Sequence, residues 1–149
     1  MALDTQSLRS SFDLALVREP RLTHTFYEEL FARHPDARPL FERTDMASQE
    51  QMLAEALVAV MDHLEDVPWL QSTLAGLGAK HASYGVTAEM YDWVGESLVA
   101  TLAAANGGEW TTAVAAAWQD AYAAIASMML AGYPAPRTAR PAPSGGEDG

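Results

Sequence analysis

Apolar residues recur along this chain at three- and four-residue spacing, and strict apolar–polar alternation appears nowhere. That period belongs to amphipathic helices. Leu8, Phe12 and Leu16 predict a first helix over about residues 5–17. A second is expected after Glu19, with Pro20 suited to its first turn. It carries Leu22, Phe26, Tyr27, Leu30 and Phe31 and ends near His34-Pro35. A short helical turn, DARPLFER, leads to Phe41. A long helix then starts after Thr44 or Asp45, its inward stripe reading Gln49, Leu53, Ala56, Leu57, Val60 and Leu64. The next, over about 68–84, has the stripe Leu70, Leu74, Leu77, His81 and Tyr84. Gly85 follows it, a residue able to adopt positive φ just past a helix. Thr87 suits an N-cap for a helix facing inward through Tyr91, Val94, Leu98 and Leu102. Asn106-Gly107-Gly108 breaks the chain, and a last helix runs from Trp110 to Leu130 with Val114, Trp118, Ala121, Ile125 and Met128 inward. Six substantial helices and a short one make the class all-α. Periodicity leaves a bundle and a crossed-helix sandwich both open.

Composition narrows the function. The chain has 149 residues, a hydrophobic fraction of 49% and a net charge of −11. It is long enough for one packed core. The acidic balance argues against nucleic acid or an anionic membrane as partner, because phosphate binding needs a basic surface. There is no cysteine, so disulfides, thiolate nucleophiles and sulfur-based metal sites are excluded. No apolar run reaches membrane-spanning length and the first residues lack a signal-peptide core, so a cytoplasmic location is expected. Residues 1–133 read as one folded domain, and residues 134–149, PAPRTARPAPSGGEDG, read as a disordered Pro/Gly-rich tail.

Three polar residues interrupt apolar stripes. His81 is either a core-edge histidine bonded to a backbone carbonyl or a metal ligand, imidazole being the common protein ligand of haem iron. Gln49 opens an inward stripe where a glutamine would normally face water. Tyr27 shares a face with Leu30 and Phe31, and a buried phenol needs a partner. Their order along the chain links them. Phe41, in "PLF", follows Tyr27 by fourteen residues, Gln49 comes eight later, Leu53 one turn further, and His81 stands in "KHASYGV".

With "FYEELFARHPDARPLF", "KHASYGVTAEMYDWVGESLVATL" and "AWQDAYAAIA", the sequence resembles the globin family, and within it bacterial single-domain haemoglobins and the haem domain of flavohaemoglobins. The resemblance spans about residues 22–130. It implies a globin fold, a three-over-three helical sandwich, with haem b (iron protoporphyrin IX) as cofactor. His81 would be the proximal iron ligand, Tyr27 the distal tyrosine, and Phe41 the wedge against the porphyrin. Gln49 and Leu53 would lie above the iron, with Leu77, Val86, Tyr91 and Val94 lining the haem. Gln51 competes for the distal polar role, but choosing it places Glu55 over the haem, where an unpaired carboxylate is costly.

The resemblance also implies reversible binding of dioxygen and of other diatomic gases, NO and CO. Nitric oxide dioxygenation with a separate reductase is the enzymatic alternative, gas sensing and a haem-free interaction role are two others, and the chain would be a monomer or a homodimer. One departure stands out. Flavohaemoglobins carry a glutamate late in the last helix that polarises the proximal histidine together with the tyrosine. Here that place falls near Tyr133, and no glutamate occurs from Trp110 to Pro143. This weakens an expectation of peroxidase-like O–O activation. His63, far down the long helix, is expected at its solvent edge. No Gly-rich nucleotide fingerprint is present.

Overall fold

The computed structural model describes residues 3–134. Its helices are α1 (Thr5–Arg18), α2 (Leu22–Arg33), α3 (Met46–Asp62), α4 (Val67–Ser83), α5 (Ala88–Asn106) and α6 (Thr112–Leu130). Short 3₁₀ turns occupy Pro35–Phe41 and Gly107–Glu109, and there is no strand among the described residues. None of the described helices is long and apolar enough to cross a membrane. The tail expected over 134–149 lies, beyond the exposed Pro134, outside the described residues.

Side-chain oxygens start four of the helices. Asp4 accepts from the Ser7 amide at 3.1 Å, Asp45 from Ala47 at 3.2 Å, Asp66 from Trp69 at 3.2 Å and Thr111 from Val114 at 3.1 Å. Each satisfies an amide that the helix itself leaves unpaired, worth about 1 kcal/mol. Pro20 departs from expectation: it sits in the turn ahead of α2, which starts at Leu22. The last helix likewise begins at Thr112, with Trp110 outside it.

In packing, α2 lies along α5, α4 along α6, and α1 crosses both α5 and α6, while α3 rests on α2. The core is the expected apolar set, including Leu8, Phe12, Leu22, Phe26, Leu30, Leu70, Leu74, Leu98, Leu102 and Trp118. Burying each large side chain contributes about 1.5–3 kcal/mol. A buried polar knot ties three helices. The Trp118 indole donates to Ser11 Oγ at 2.7 Å, and Asn106 Nδ2 donates to the Ser11 and Leu102 carbonyls at 3.1 and 2.9 Å.

Where α4 meets α6 the backbones almost touch. A Cβ on Gly78 would lie 1.8 Å from the Met129 carbonyl oxygen, and one on Gly132 would lie 1.9 Å from that of Ala75. Only hydrogen fits at either crossing. Three expectations need correction. Tyr84 leaves the inward stripe and is 68% exposed, because α4 ends at Ser83 and Gly85, at φ +87°, turns the chain away. His63 is not at a solvent edge. It is half-buried, stacked on Trp69 at 3.7 Å between ring centroids, with Nδ1 donating to the Ala59 carbonyl at 2.8 Å. Leu64 is buried but lies past the end of α3.

Candidate functional site

The expected residues assemble as two groups, one on α2 and α3 and the other on α4 and α5. In the first, Tyr27 is held in an aromatic cage. Its ring meets Phe26 at 4.9 Å and Phe41 at 5.5 Å, both edge-on, and Phe31 at 6.0 Å. Phe41 arrives there from the 3₁₀ turn, whose prolines Pro35 and Pro39 stop α2 from continuing. The guanidinium of Arg38 covers the outer face of Phe31 at 4.7 Å.

Gln49, in the first turns of α3, donates from Nε2 to the Tyr27 phenol oxygen at 2.9 Å. The phenol is thus an acceptor toward Gln49, and among the described residues nothing accepts its own proton. Burial pushes the Tyr27 phenol above the usual tyrosine range, the Gln49 bond opposes that rise, and the charge of Glu50 adds to it. The phenol therefore keeps its proton at neutral pH. Gln51 points elsewhere: it is exposed and its Nε2 donates to Glu55 at 3.2 Å. Leu53, one turn beyond Gln49, is half-buried.

The second group centres on His81, in the last turn of α4. Its Nδ1 lies 2.9 Å from the Leu77 carbonyl oxygen, one turn back. A carbonyl can only accept, so Nδ1 carries the proton and Nε2 keeps its lone pair. Among the described residues no partner engages Nε2. The chain after His81 is pinned: the Val86 amide donates to the His81 carbonyl at 3.1 Å, across the Gly85 reversal. Tyr91, in the first turn of α5, lies 6.3 Å from the His81 ring between centroids. Leu77, Val86 and Val94 are half-buried around this group.

Tyr133 is the residue whose contribution the sequence concealed. Its hydroxyl donates to the Val86 carbonyl at 2.8 Å and lies 3.2 Å from the Tyr91 hydroxyl. With the Tyr133 proton spent on Val86, Tyr91 donates to the Tyr133 oxygen. Burial, then this bond, pushes the Tyr91 phenol far up. A phenol thus occupies the place where the resemblance leads one to look for a carboxylate. An aromatic in "LAGYP" just past a helix was the available signal.

The two groups have complementary chemistry. One offers a lone-pair nitrogen and the other two polar hydrogens, and α3, α4, α5 and the turn ahead of α5 carry half-buried apolar side chains, Leu53, Leu77, Val86 and Val94 among them. That donor set fits a haem: one imidazole nitrogen for iron, and a wall of leucine, valine and phenylalanine for the porphyrin. No group of three or more His, Cys, Asp or Glu side chains among the described residues makes a bare-metal cage.

Comparison with known proteins decides the family. The model of the globin family, described as Globin, matches residues 24–129.

The chain belongs to the globin family.

Among curated relatives, it is 33% identical over 106 residues to a flavohemoprotein of Rhizobium meliloti, covering 70% of this chain and 26% of that protein. A flavohemoprotein of Vibrio cholerae is 29% identical over 125 residues, covering 83% of this chain and 32% of that one. The chain therefore spans about a quarter to a third of the length of these relatives. Among solved structures, a bacterial globin from Campylobacter jejuni superposes with a TM-score of 0.71 at 25% identity, over 85% of this chain and 91% of that one. A Pseudomonas aeruginosa protein, described as structurally highly homologous to a human hemoglobin, gives 0.77 at 21% identity, over 87% and 97%. The architecture is the all-α globin fold, and the globin family carries haem and binds diatomic gases with it.

Proposed function

We propose that this globin binds haem b and takes up dioxygen reversibly, with His81 as the proximal iron ligand and Tyr27 and Gln49 as the distal donors. Phe41, Leu53, Leu77, Val86, Tyr91 and Val94 would hold the porphyrin. One observation carries the reading: among the described residues, Nε2 of the half-buried His81 and the hydroxyl proton of the buried Tyr27 are both left without a protein partner. Both groups are thus free to engage a ligand, the imidazole through a lone pair and the phenol through a hydrogen.

Haem, when bound, supplies an iron atom with an open position for a diatomic gas. The protein does the rest. Leu77 fixes the His81 tautomer that can ligate, and Gly85 and Val86 fix where the imbedded ring lies. Tyr27 would donate a hydrogen bond to the gas while keeping its proton, and Gln49, bonded to the Tyr27 oxygen, orients the phenol and offers its second amide hydrogen. A hydrogen bond to a partly negative acceptor contributes about 1.5–3 kcal/mol in a dry pocket, and 1.4 kcal/mol is about tenfold in affinity. Two such donors slow gas release by orders of magnitude relative to an apolar pocket. Leu53 and Phe41 exclude water, which protects the ferrous state.

The similarity to flavohemoproteins favours one further reading, nitric oxide dioxygenation with electrons from a separate reductase. The Tyr91–Tyr133 pair gives it no help, because its partners are two hydroxyls and not a carboxylate that would push electron density onto His81. The deciding experiment is an absorption spectrum of the purified protein, reduced and then exposed to oxygen or carbon monoxide. A Soret band that shifts reversibly with each gas supports the proposal; a colourless protein after haem reconstitution overturns it. NO consumption that needs an added reductase, faster than oxygen release, would move the assignment to the enzymatic role.

A further inference from the structure

Resting on the reading of His81 as the iron ligand, we propose that Tyr133 is its positioning residue: it straps the turn that follows His81 to the end of α6 and so fixes where the imidazole stands. The strap is a chain of contacts that begins and ends at His81. The Val86 amide donates to the His81 carbonyl at 3.1 Å. The Val86 carbonyl accepts from the Tyr133 hydroxyl at 2.8 Å, and no other donor among the described residues reaches it. The Tyr133 oxygen lies 3.2 Å from the Tyr91 hydroxyl, and the Tyr91 ring stands 6.3 Å from the His81 ring between centroids.

Both ends of the strap are anchored in packed backbone. Gly132, the residue before Tyr133, comes so close to α4 that a Cβ there would meet the Ala75 carbonyl oxygen at 1.9 Å. The Gly132 and Tyr133 amides donate to the Met129 and Leu130 carbonyls, each at 3.0 Å, which closes the turn after α6. The crossing of α4 and α6 therefore sets where Tyr133 stands. On the other side, the Tyr122 hydroxyl of α6 donates to the Tyr91 carbonyl at 2.6 Å. Tyr91 is thus held at both polar ends, at the backbone by Tyr122 and at the hydroxyl by Tyr133. The Leu77 bond holds the His81 ring only against its own helix. Tyr84 and Gly85 are exposed, so the turn beyond that helix takes its fixed point at Val86.

The test separates positioning from general stability. Tyr133→Phe keeps the edge-on ring contact with Tyr91, 6.2 Å between centroids, and removes the hydroxyl. In the haem-free full chain, amide hydrogen exchange at Val86, followed by NMR, should quicken about fivefold, the size of one net hydrogen bond. In the haem-loaded ferrous protein without gas, the iron–histidine stretching band should shift from its wild-type position. Trp118→Phe is the control. It removes another buried bond of α6, the indole donation to Ser11, roughly four turns up the helix from Tyr133. It should lower the melting midpoint and leave the Val86 exchange and the iron–histidine band at their wild-type values. Tyr133→Phe with wild-type exchange at Val86 overturns the proposal. Quickened exchange with an unmoved band overturns it too, because the strap would then hold the turn without placing the imidazole. A control that moves both readouts as Tyr133→Phe does would reduce Tyr133 to general support and overturn it as well. A wild-type chain that takes up no haem sinks the proposed function, and the Val86 exchange then still decides whether Tyr133 fixes the turn.

Discussion

Nδ1 of His81 and the carbonyl oxygen of Leu77 are 2.9 Å apart within one turn of α4. That single bond turns an ambiguous histidine into a directed one. It consumes the Nδ1 proton, holds the ring against rotation and leaves Nε2 as the only lone pair aimed off the helix. A surface histidine with two water partners has none of these properties. The bond would also tie the proposed ligation to the integrity of the last turn of α4, which Gly85 terminates.

It follows that His81→Gly should abolish stable haem uptake while leaving the helical content intact. Glycine removes the ring and leaves space behind, so imidazole added to the solution should restore a Soret band. The check is haem titration by absorbance with and without imidazole, alongside far-ultraviolet circular dichroism. A variant that takes up haem as the wild type does, without imidazole, would remove His81 from the proximal role.

Tyr27→Phe should raise the dioxygen dissociation rate by about tenfold or more, the cost of one hydrogen bond to a charged acceptor. The phenyl ring keeps the contacts with Phe26, Phe31 and Phe41, so the fold should be unaffected. Gln49→Leu should act in the same direction, and the double variant should fall short of the product of the two, because Gln49 works partly through its bond to the Tyr27 oxygen. Stopped-flow oxygen release measures all three. Independent, fully multiplicative effects would mean that the Gln49–Tyr27 bond does not matter to the gas.

The helices were legible in the sequence because their signals are local. Stripes such as Leu70, Leu74, Leu77 and His81 need only a 3.6-residue period, and caps such as Asp45 act over three residues. The His81 environment was partly legible for the same reason, since its partner Leu77 lies four residues away. Tyr133 was not. Its partners Val86 and Tyr91 are 47 and 42 residues distant, and only the close crossing of α4 and α6 brings them together. The knot of Ser11, Asn106 and Trp118 escaped notice similarly, because Ser11 and Trp118 alone read as ordinary helix residues and Asn106 as part of a chain break. His63 was misjudged since a stacking partner one turn into the next helix leaves no periodic trace.

Gly78→Ala should destabilise the protein by about 1–3 kcal/mol, the usual range for forcing extra volume into a packed interface. The added methyl meets backbone at Met129, which cannot rotate away as a side chain would. The helices must separate, and α4 carries His81. Thermal unfolding should therefore show a lower midpoint, and haem should be lost faster to an acceptor protein. Gly76→Ala is the control: nothing lies within 4 Å of its would-be Cβ, so it should be neutral or slightly stabilising.

Alkaline pH gives the last prediction. Tyr27, Tyr91 and Tyr122 all have phenols pushed above the ordinary value of 10.0, each mainly by burial. For Tyr27 and Tyr122 a nearby carboxylate, Glu50 or Asp92, adds to the rise, and for Tyr91 its contact with Tyr133 does. In the unfolded chain these phenols ionise near pH 10. Below that pH both states hold the protons and the stabilisation is fully present. Above it the unfolded state binds fewer protons than the native state, so unfolding becomes easier as pH rises toward the native values. Melting midpoints should be level from about pH 8 to 9.5 and fall steeply beyond, with tyrosine ionisation arriving together with unfolding. Tyr27→Phe should soften that fall by removing one of the three groups. A midpoint that holds steady to pH 11, with phenolate absorbance developing in the folded protein, would mean that water reaches these hydroxyls and that the distal phenol is not the dry donor the proposed gas site requires.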